Sequence, residues 1–460
     1  MRHSYIFKKH TMKKYLILLI LAFAVAGCKK FLDAKPDGRQ ILPEDDLQNL
    51  QYFLDDTYTI NQRIPSAGEV CSDNIYFTDE LWQGLFQSSA TSANLYIWSR
   101  NVFNDNDSND WTVGYKIVFN ANVVLDAIDK TPYKSAAERD DVKGQALFFR
   151  ALAFYHLLQE FAKPYNPATA SADKGIVLRL SADISKPSSR ASLAQSYEQV
   201  IADLQSAVQL LRVTPKFKSR PSKTAALGLL SRVYLATGDY INSLKYANDY
   251  LTIAPELIDY NTQSPSPSYP FPSYNKEVTF DARLFPHTAF SAAYFRVNSS
   301  LFNSYAANDL RRTLYFQDGS DGNIMFRGSY YGSRQLFGGI ATDEIYLNAA
   351  ESSARVGNTA HAMALINELC EKRYRSDNFT PFVAADSKSA LEIILAERRK
   401  ELAFRNLRWM DIRRLSRDPD FAVSVSRTVS GTTYELPAGS EKLVLPIPQK
   451  VIDLGGIEQN

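Results

Sequence analysis

The stretch SDNIYFTDELWQGLF, residues 72–86, combines flat aromatic rings with short polar side chains, the two kinds of group that bind sugars. Trp and Tyr rings offer apolar faces to the C–H side of a pyranose, while Asp, Asn and Arg supply hydrogen-bonding atoms for its hydroxyls. Because the stretch lacks a clean periodicity, we expect a loop with a short helix. The alternative is that its rings pack beneath that loop. The candidate ligand contacts are Asp73, Asn74, Tyr76, Asp79 and Trp82.

A second set of aromatic and basic side chains lies in a Pro-, Ser- and Tyr-rich part of the chain, from about residue 260 to 340. There the segment 328–334 reads GSYYGSR, and glycines on both sides of paired tyrosines are typical of an exposed, adaptable loop. We expect one of these two tyrosines to face a ligand or partner; the alternative is a folded hairpin with one of them inside. The candidate ligand contacts in this part of the chain are Tyr294, Arg296, Tyr330, Tyr331 and Arg334. Trp98, from earlier in the chain, is a further candidate.

The sequence offers little that would carry catalysis or bind a cofactor. Its five histidines show no metal-ligand spacing, and it has no Gly-x-Ser-x-Gly motif or phosphate-binding glycine loop. The loop Asn104–Asp110 is rich in oxygen atoms, but Lys116 stands where a calcium loop needs glutamate, so we expect Asp110 to cap the following helix. No metal or cofactor is therefore predicted. Two carboxylates brought together by folding would still make a glycoside hydrolase, which stays an alternative.

The N-terminal residues have the pattern of a bacterial lipoprotein signal. Two lysines precede the apolar run Tyr15–Ala26, which is too short to span a bilayer but suits the apolar part of a signal peptide. The run ends in Val-Ala-Gly-Cys, which resembles a lipobox, so Cys28 is the predicted lipidated first residue of the mature chain. The alternative is a buried N-terminal helix. Met12 is better placed as the start of this signal than Met1.

Composition argues against a nucleic-acid partner. The formal charge of +2 comes from residues 1–27, whose five basic and no acidic residues leave 47 basic and 50 acidic residues in the remainder. No basic patch of the kind that binds a phosphate backbone is present in the sequence. Besides Cys28 only Cys71 and Cys370 remain, and they either pair or stay as buried thiols.

Helical periodicity dominates the rest of the chain. Tyr197, Val200, Leu204 and Val208 recur at steps of three and four, which places one apolar stripe on one helix face. Another helix should follow the capping-box pattern at Ser135 and end at Lys163-Pro164. Further helices are predicted near 43–60, 111–129, 222–236, 239–253, 343–355, 358–374, 388–405 and 407–416.

Two pairs of these helices have a layout close to the tetratricopeptide pattern, with turns at Gly238 and Gly357. The glycines lie 119 positions apart, so insertions interrupt the hairpins and no tandem array forms. Short strands are predicted near 277–281, 324–327 and 442–446. The predicted fold class is mainly α, a tetratricopeptide-like helical hairpin scaffold with a loop-rich aromatic insertion at about 260–340. Alternating charges from Glu397 to Arg414 favour ion pairs between helices over an acidic-ligand site.

Blocks of the chain resemble, in this order, the SusD/RagB family of Bacteroidota outer-membrane lipoproteins. The early blocks are CKKFLDAKPDG at 28–38, WTVGYKIVFNANVVLDAI at 111–128 and GQALFFRALAFYHLLQEFAKPY at 144–165. The most specific blocks are TDEIYLNAAESSARVGNTAHAMALINELCEKR at 342–373 and ILAERRKELAFRNLRWMDIRRL at 394–415, followed by LVLPIP at 443–448. The chain departs from the family at Arg405-Asn406, where Glu-Gly is common.

This resemblance implies a surface lipoprotein that captures a nutrient, typically a glycan, beside a TonB-dependent transporter, a SusC-like β-barrel in the outer membrane. It also implies tetratricopeptide-like helix pairs that support ligand-holding loops, and no catalysis. For this chain we expect a signal peptide at 1–27, a lipidated tether at 28–40 and a single helical domain at 41–460. The predicted ligand is an oligosaccharide or peptide. The alternatives are a surface glycoside hydrolase and a helical-repeat scaffold without a small ligand.

Overall fold

Helices form most of this protein. The computed structural model describes residues 47–104 and 108–460, and these residues belong to one compact unit. The predicted signal peptide, the tether and Cys28 lie outside the described residues. Seventeen α-helices lie within them: α1 Leu47–Leu54, α2 Thr57–Ile60, α3 Ala67–Cys71, α4 Asp79–Ser88, α5 Ala90–Tyr96, α6 Asp110–Ala127, α7 Ala136–Phe161, α8 Leu193–Leu210, α9 Lys223–Thr237, α10 Tyr240–Ile253, α11 Ser299–Phe302, α12 Arg311–Leu314, α13 Thr342–Arg355, α14 Thr359–Glu371, α15 Ser387–Glu401, α16 Arg408–Leu415 and α17 Gln449–Gly455.

The strands of the described residues are short and pair two by two, always antiparallel, so they join loops to one another and form no central sheet. The predicted mainly α, tetratricopeptide-like fold class is confirmed. The pairs are β1 Ile75–Tyr76 with β5 Arg296–Val297, β2 Lys174–Val177 with β3 Arg190–Ser192, β4 Val278–Phe280 with β8 Ile340–Ala341, β6 Phe316–Asp318 with β7 Ile324–Phe326, and β9 Val425–Val429 with β10 Thr432–Leu436.

The long helix α7 is the centre of the core. Every residue from Gly144 to Phe161 is buried, as expected for a helix that other elements surround. Helices α6 and α8 pack against it, and its Phe148 meets Phe280 of β4 with ring centroids 4.9 Å apart. Ser135 caps the helix, which ends shortly before Lys163-Pro164 as predicted.

The two predicted helical hairpins, α9–α10 and α13–α14, are present. Gly238 and Gly357 end the first helix of each pair with φ of 80° and 86°, a left-handed conformation that favours glycine. Small residues let the helices approach closely, since the Ser243 hydroxyl donates to the Ser231 carbonyl and the Ser352 hydroxyl donates to Ser243, each at 3.0 Å. Helices α9, α10 and α13 are therefore packed through serines.

A buried network of ion pairs joins α15 to the aromatic insertion. Arg311 of α12 contacts Glu397 and Glu401 at 2.5 and 2.9 Å. Arg373, just after α14, contacts Glu401 at 2.6 Å and Glu277 at 2.8 Å. All five residues are buried. The structural role predicted for the charged block is confirmed.

Ion pairs also join α15 and α16 to α13. Arg398 contacts Asp411 at 2.9 Å, and Arg414 contacts both Asp411 at 2.8 Å and Glu351 at 2.5 Å. The positive and negative side chains that alternate along α15 and α16 therefore form ion pairs between helices as well as within one helix.

Several predicted boundaries are wrong. The helix predicted at 43–60 is interrupted after Leu54, because Asp56 turns and caps α2 by accepting the Thr59 N–H at 3.2 Å. The helix predicted at 388–405 ends at Glu401, and the following Phe404 and Asn406 both have φ of 61°. Asparagine tolerates this left-handed conformation better than most residues. Asn406 can therefore occupy the position at which the SusD/RagB family, which this chain resembles, commonly has glycine.

Two further local predictions need correction. Asn109, not Asp110, caps α6, and Asp110 instead accepts the N–H groups of Ser66 and Ala67 at 2.6 and 2.9 Å. The strand predicted at 442–446 is a 3₁₀ turn, Glu441–Leu443, followed by extended chain.

Cys71 and Cys370, whose pairing the sequence left open, are separate buried thiols, and burial raises the pKa of both. Among the helices of the described residues, none combines the length and the hydropathy needed to cross a lipid bilayer.

The buried network predicts that Glu401→Gln lowers the free energy of unfolding by about 3–5 kcal/mol, because the variant leaves Arg311 and Arg373 without their shared carboxylate. Chemical denaturation at pH 7 measures this loss. The matched control is Asp420→Asn, whose pair with Lys388 is exposed, and we expect it to have little effect. Equal losses in the two variants would contradict the importance of the network.

Candidate ligand-binding surface

Strands β1 and β5 bring the two candidate stretches of the sequence together. Tyr76 pairs with Arg296 across these strands, and the Asn298 N–H donates to the Asn74 carbonyl at 2.8 Å. The chain passes from β1 almost directly into α4, which Thr78 caps through its side chain. The residues around 294 therefore lie beside the stretch 72–86, as ligand contacts from both stretches would require.

Aromatic rings flank the solvent-facing side of α4. Trp82 and Phe86, one helical turn apart, have ring centroids 5.6 Å apart along one flank. On the other flank the Tyr294 hydroxyl donates to the Gly84 carbonyl at 3.1 Å, so this ring lies against the helix. Tyr76 precedes the helix and is 40% exposed, while Phe86 is 42% exposed. Tyr76, Trp82, Phe86 and Tyr294 together form the aromatic surface.

Hydrogen bonds hold two of these rings in place. The Trp82 Nε1–H donates to the Ala93 carbonyl of α5 at 3.1 Å, and the Ser88 hydroxyl donates to the Tyr294 hydroxyl at 3.1 Å. Both rings are half-buried, so each has one part against the protein and one part open to solvent. Rings fixed in this way lose little side-chain entropy when a ligand covers them.

The hairpin of β9 and β10 lies against the start of α4. Its tip, Ser430-Gly431, has φ of 48° and 77°, the positive values of a tight two-residue turn. The Ser430 N–H donates to the Asp79 carboxylate at 2.8 Å, and Gln83 donates to the Ser430 hydroxyl at 3.1 Å. Asp79, one of the candidate ligand contacts, is exposed, and one of its carboxylate oxygens accepts the bond that holds this tip.

Asp73 and Asn74 lie beneath the aromatic surface and not on it. The Asp73 carboxylate pairs with Arg408 at 2.6 Å and with Arg399 at 3.1 Å. Burial raises the pKa of Asp73, but the hydrogen bond and charge of Arg408, with the charge of Arg399, outweigh it and lower the pKa to about 2. Asn74 is buried and accepts a hydrogen bond from Arg399 at 3.3 Å. Both residues support the loop from its inner side.

Trp98 and Arg296 are also buried, which corrects the expectation that they lie at a ligand surface. The Trp98 Nε1–H donates to the Cys71 carbonyl at 3.0 Å, and the guanidinium of Arg427 lies 4.4 Å from the Trp98 ring centre. Arg296 pairs with Asp321 at 2.7 Å. Their polar groups are satisfied within the protein, so they fix the surrounding loops.

The paired tyrosines of the glycine-rich loop have opposite environments. Tyr330 is buried and its hydroxyl donates to Glu277 at 2.7 Å, so it belongs to the core and corrects the expectation of a ligand contact there. Tyr331 is half-buried, with the Arg283 guanidinium 3.5 Å from its ring centre, and Arg334 is exposed. One tyrosine of the two therefore faces outward. Tyr331 and Arg334 lie on a loop separate from α4.

Phe86 is not among the ligand contacts predicted from the sequence. Its position four residues after Trp82 is the signal that would have found it, because side chains at this spacing share one helix face. In the ranges 47–104 and 108–460, no group of three or more His, Cys, Asp or Glu side chains is arranged to hold a metal ion.

Comparison with known proteins gives the family. A family model described as "Starch-binding associating with outer membrane" matches residues 30–235, and the SusD family model matches residues 342–460. These two models of one family together match most of the chain. This chain belongs to the SusD family.

A curated relative agrees with this assignment, and two solved structures share the fold. SusD-like protein P2 of Formosa agariphila is 27% identical over 371 residues, covering 66% of this chain and 71% of that protein. A SusD superfamily structure from Bacteroides thetaiotaomicron superimposes with a TM-score of 0.71 at 21% identity, covering 90% and 99% of the two chains. A laminarin-binding SusD-like protein superimposes with a TM-score of 0.66 at 17% identity, covering 90% of this chain and 99% of its own.

The environment of Asp73 predicts a pH-dependent effect of Asp73→Asn. Because the pKa in the folded state, about 2, lies below the ordinary value of 3.8, the carboxylate stabilises the fold fully above about pH 5. This contribution is lost as the pH falls through 2. We expect the variant to be less stable by at least about 2 kcal/mol at pH 7, and the difference to narrow by pH 3.

Urea denaturation of both proteins at pH 7, 5, 4 and 3 measures this difference. The control is Asp79→Asn, which removes an exposed carboxylate from the same stretch. A loss of stability in Asp73→Asn that stays constant over this pH range would show that the ion pairs of Asp73 are not its cause.

Proposed function

We propose that this protein is a non-catalytic surface lipoprotein that binds an oligosaccharide and delivers it to a TonB-dependent, SusC-like barrel in the outer membrane. The aromatic surface is the observation that carries this proposal. Three of its rings flank one exposed helix face, and exposed Tyr76 lies just before that helix in the chain, so the C–H sides of pyranose rings can pack against them. Polar side chains at the rim, among them Asp79 and Gln83, are placed to accept or donate hydrogen bonds with hydroxyls.

The openness of this surface suits capture followed by release. Two of its rings are exposed and two are half-buried, so a ligand would lie on the protein surface. Contacts of this kind are shallow and individually weak, and a bound oligosaccharide could pass to a transporter without a large conformational change.

Family membership supports a glycan over a peptide. The model that matches residues 30–235 carries a starch-binding description, and one structural neighbour is a laminarin-binding protein. Starch and laminarin are both glucose polymers, and their sugar rings present the apolar C–H faces that aromatic side chains bind.

The chemistry of the surface argues against a glycoside hydrolase. Such an enzyme needs one carboxyl group whose pKa is raised, so that it can protonate the leaving oxygen near neutral pH. Burial raises the pKa of Glu69 to about 7, but this side chain is fully buried and accepts bonds from the Asn406 N–H and the Ser72 hydroxyl, so it cannot reach a leaving oxygen. Asp73, nearer the rings in sequence, has a pKa of about 2 and cannot act as the acid. If the protein were a helical-repeat scaffold without a small ligand, its exposed aromatic rings would have no binding role.

The proposed location follows from the lipobox and the family. A lipid on Cys28 would attach the domain 41–460 to the outer membrane through the tether 28–40, after removal of residues 1–27. The family is associated with the outer membrane, where a SusC-like barrel would be the partner.

Replacing the two most exposed rings tests the binding surface. We expect the double variant Tyr76→Ala, Phe86→Ala to bind maltooligosaccharides or laminarin oligosaccharides about tenfold more weakly or worse, because each ring contributes roughly 0.5–1.5 kcal/mol beyond the area that it buries. Isothermal titration calorimetry measures the affinity. The control, Tyr52→Ala with Tyr58→Ala, removes two rings of 57% and 59% exposure outside this surface. Equal affinities in both double variants would contradict the assignment of the surface.

Replacing Cys28 tests the anchor and the partner together. We expect Cys28→Ala to move the protein out of the outer-membrane fraction, and a large barrel protein to co-purify with the wild type in gentle detergent but not with the variant. Cys71→Ala, which removes a buried thiol, is the control. Retention of Cys28→Ala in the membrane fraction would contradict lipidation at this residue.

A further inference from the structure

A polar cleft of about 700 Å³ lies between the ends of α7 and α16 and the segment that follows β10. Three arginines line it, from three separate parts of the chain: Arg100 after α5, Arg190 at the start of β3 and Arg417 after α16. Nothing in the function proposed above uses this cleft.

These three guanidinium groups have no carboxylate partner among the residues that the structure describes. Arg190 donates only to main-chain carbonyls, including that of Gly175 at 2.8 Å. Arg100 and Arg417 are exposed, and within residues 47–104 and 108–460 neither forms an ion pair. Among the described residues, these three positive charges of the cleft therefore have no carboxylate within ion-pair distance.

The other charges of the cleft do not remove this excess. Lys163 pairs with Asp173 at 2.8 Å, and Lys174 pairs with Glu458. Glu441 is the one lining side-chain carboxylate that takes part in neither of these pairs, and it lies in the segment that follows β10. Hydroxyl and amide groups line the rest, from Asn166, Thr169, Ser440 and Gln459.

This combination fits a sugar that bears an acidic group. A guanidinium donates two parallel hydrogen bonds to a carboxylate or a sulfate, and such charge-assisted bonds are stronger than bonds between neutral groups. The hydroxyl and amide side chains would accept and donate bonds with the sugar hydroxyls.

The cleft lies within reach of the aromatic surface. Ala93, whose carbonyl accepts the Trp82 Nε1–H, precedes Arg100 by seven residues, which even a fully extended chain could separate by no more than about 25 Å. The β9–β10 hairpin also connects them, because its tip is held by Asp79 and the chain after it, Gly439 to Glu441, lines the cleft. An oligosaccharide of several units could span this distance.

We propose that the cleft of Arg100, Arg190 and Arg417 binds the carboxylate or sulfate group of the glycan that the aromatic surface holds, so that the cargo is an acidic oligosaccharide. This inference rests on the proposed function. It names the chemical class of the cargo and assigns a second contact region to it.

The test compares charged glycans with their own uncharged forms. Oligogalacturonate and its carboxyl-reduced form probe a carboxylate, and carrageenan oligosaccharide and its desulfated form probe a sulfate. Calorimetry is done on the wild type, on Arg100→Gln with Arg417→Gln, and on the control Arg375→Gln with Lys116→Gln, which removes two exposed charges outside the cleft. In parallel, the thermal midpoint of the wild type and the cleft variant is measured in sodium sulfate and in sodium chloride of equal ionic strength.

We expect at least one charged glycan to bind the wild type about tenfold more tightly than its uncharged form, and the cleft variant, but not the control, to lose this preference. Sulfate should raise the thermal midpoint of the wild type more than that of the cleft variant. Equal binding of charged and uncharged forms, or a preference that survives in the cleft variant, would overturn the inference. Failure of the wild type to bind any glycan would contradict the proposed function, and the sulfate comparison would still decide whether the cleft binds anions.

Discussion

Burial of arginine is the constraint on which the rest of this structure depends. A guanidinium cannot lose its charge, so each buried arginine must meet carboxylates or carbonyls that offset the loss of water. Arg311 and Arg373 meet this requirement through Glu401, with Glu397 and Glu277 as further partners. These partners come from α15 and from the aromatic insertion. Satisfying two charges therefore joins segments that are far apart in the sequence, and the insertion is held to the helices by the same contacts that balance the arginines.

The same principle supports the ligand-binding surface from beneath. Arg408 and Arg399 hold Asp73, and Arg427 donates to the carbonyls of Ser72 and Tyr96, so the loop before α4 and the end of α5 are fixed by charged groups that no ligand needs to touch. The rings of the aromatic surface are not needed to balance these charges, so they remain available for ligand contact. This division explains why so many charged residues accompany a surface whose proposed contacts are largely aromatic.

The scaffold could be predicted from the sequence because its signals are local. Apolar periodicity, the turns at Gly238 and Gly357 and the alternating charges after Glu397 each act over a few residues, and the corresponding elements are present. The candidate site could be predicted only in part, because exposure depends on distant partners. Tyr330 is buried through a bond to Glu277, 53 positions earlier, and no pattern around the two tyrosines tells which of them turns inward. The pairing of Tyr76 with Arg296 likewise depends on contacts that span most of the domain.

The β9–β10 hairpin has a consequence for how this protein diversifies. Its tip is fixed to α4 by Asp79 and Gln83, and the chain after it runs to the arginine cleft, while its strands pair only with each other among the described residues. Insertion or deletion of one residue pair in the hairpin would change the distance between tip and cleft without altering a single helix. A lineage that encounters a new polymer could therefore adjust the spacing of its contacts near the hairpin tip, as long as buried Arg427 of β9 keeps its bonds to the Ser72 and Tyr96 carbonyls.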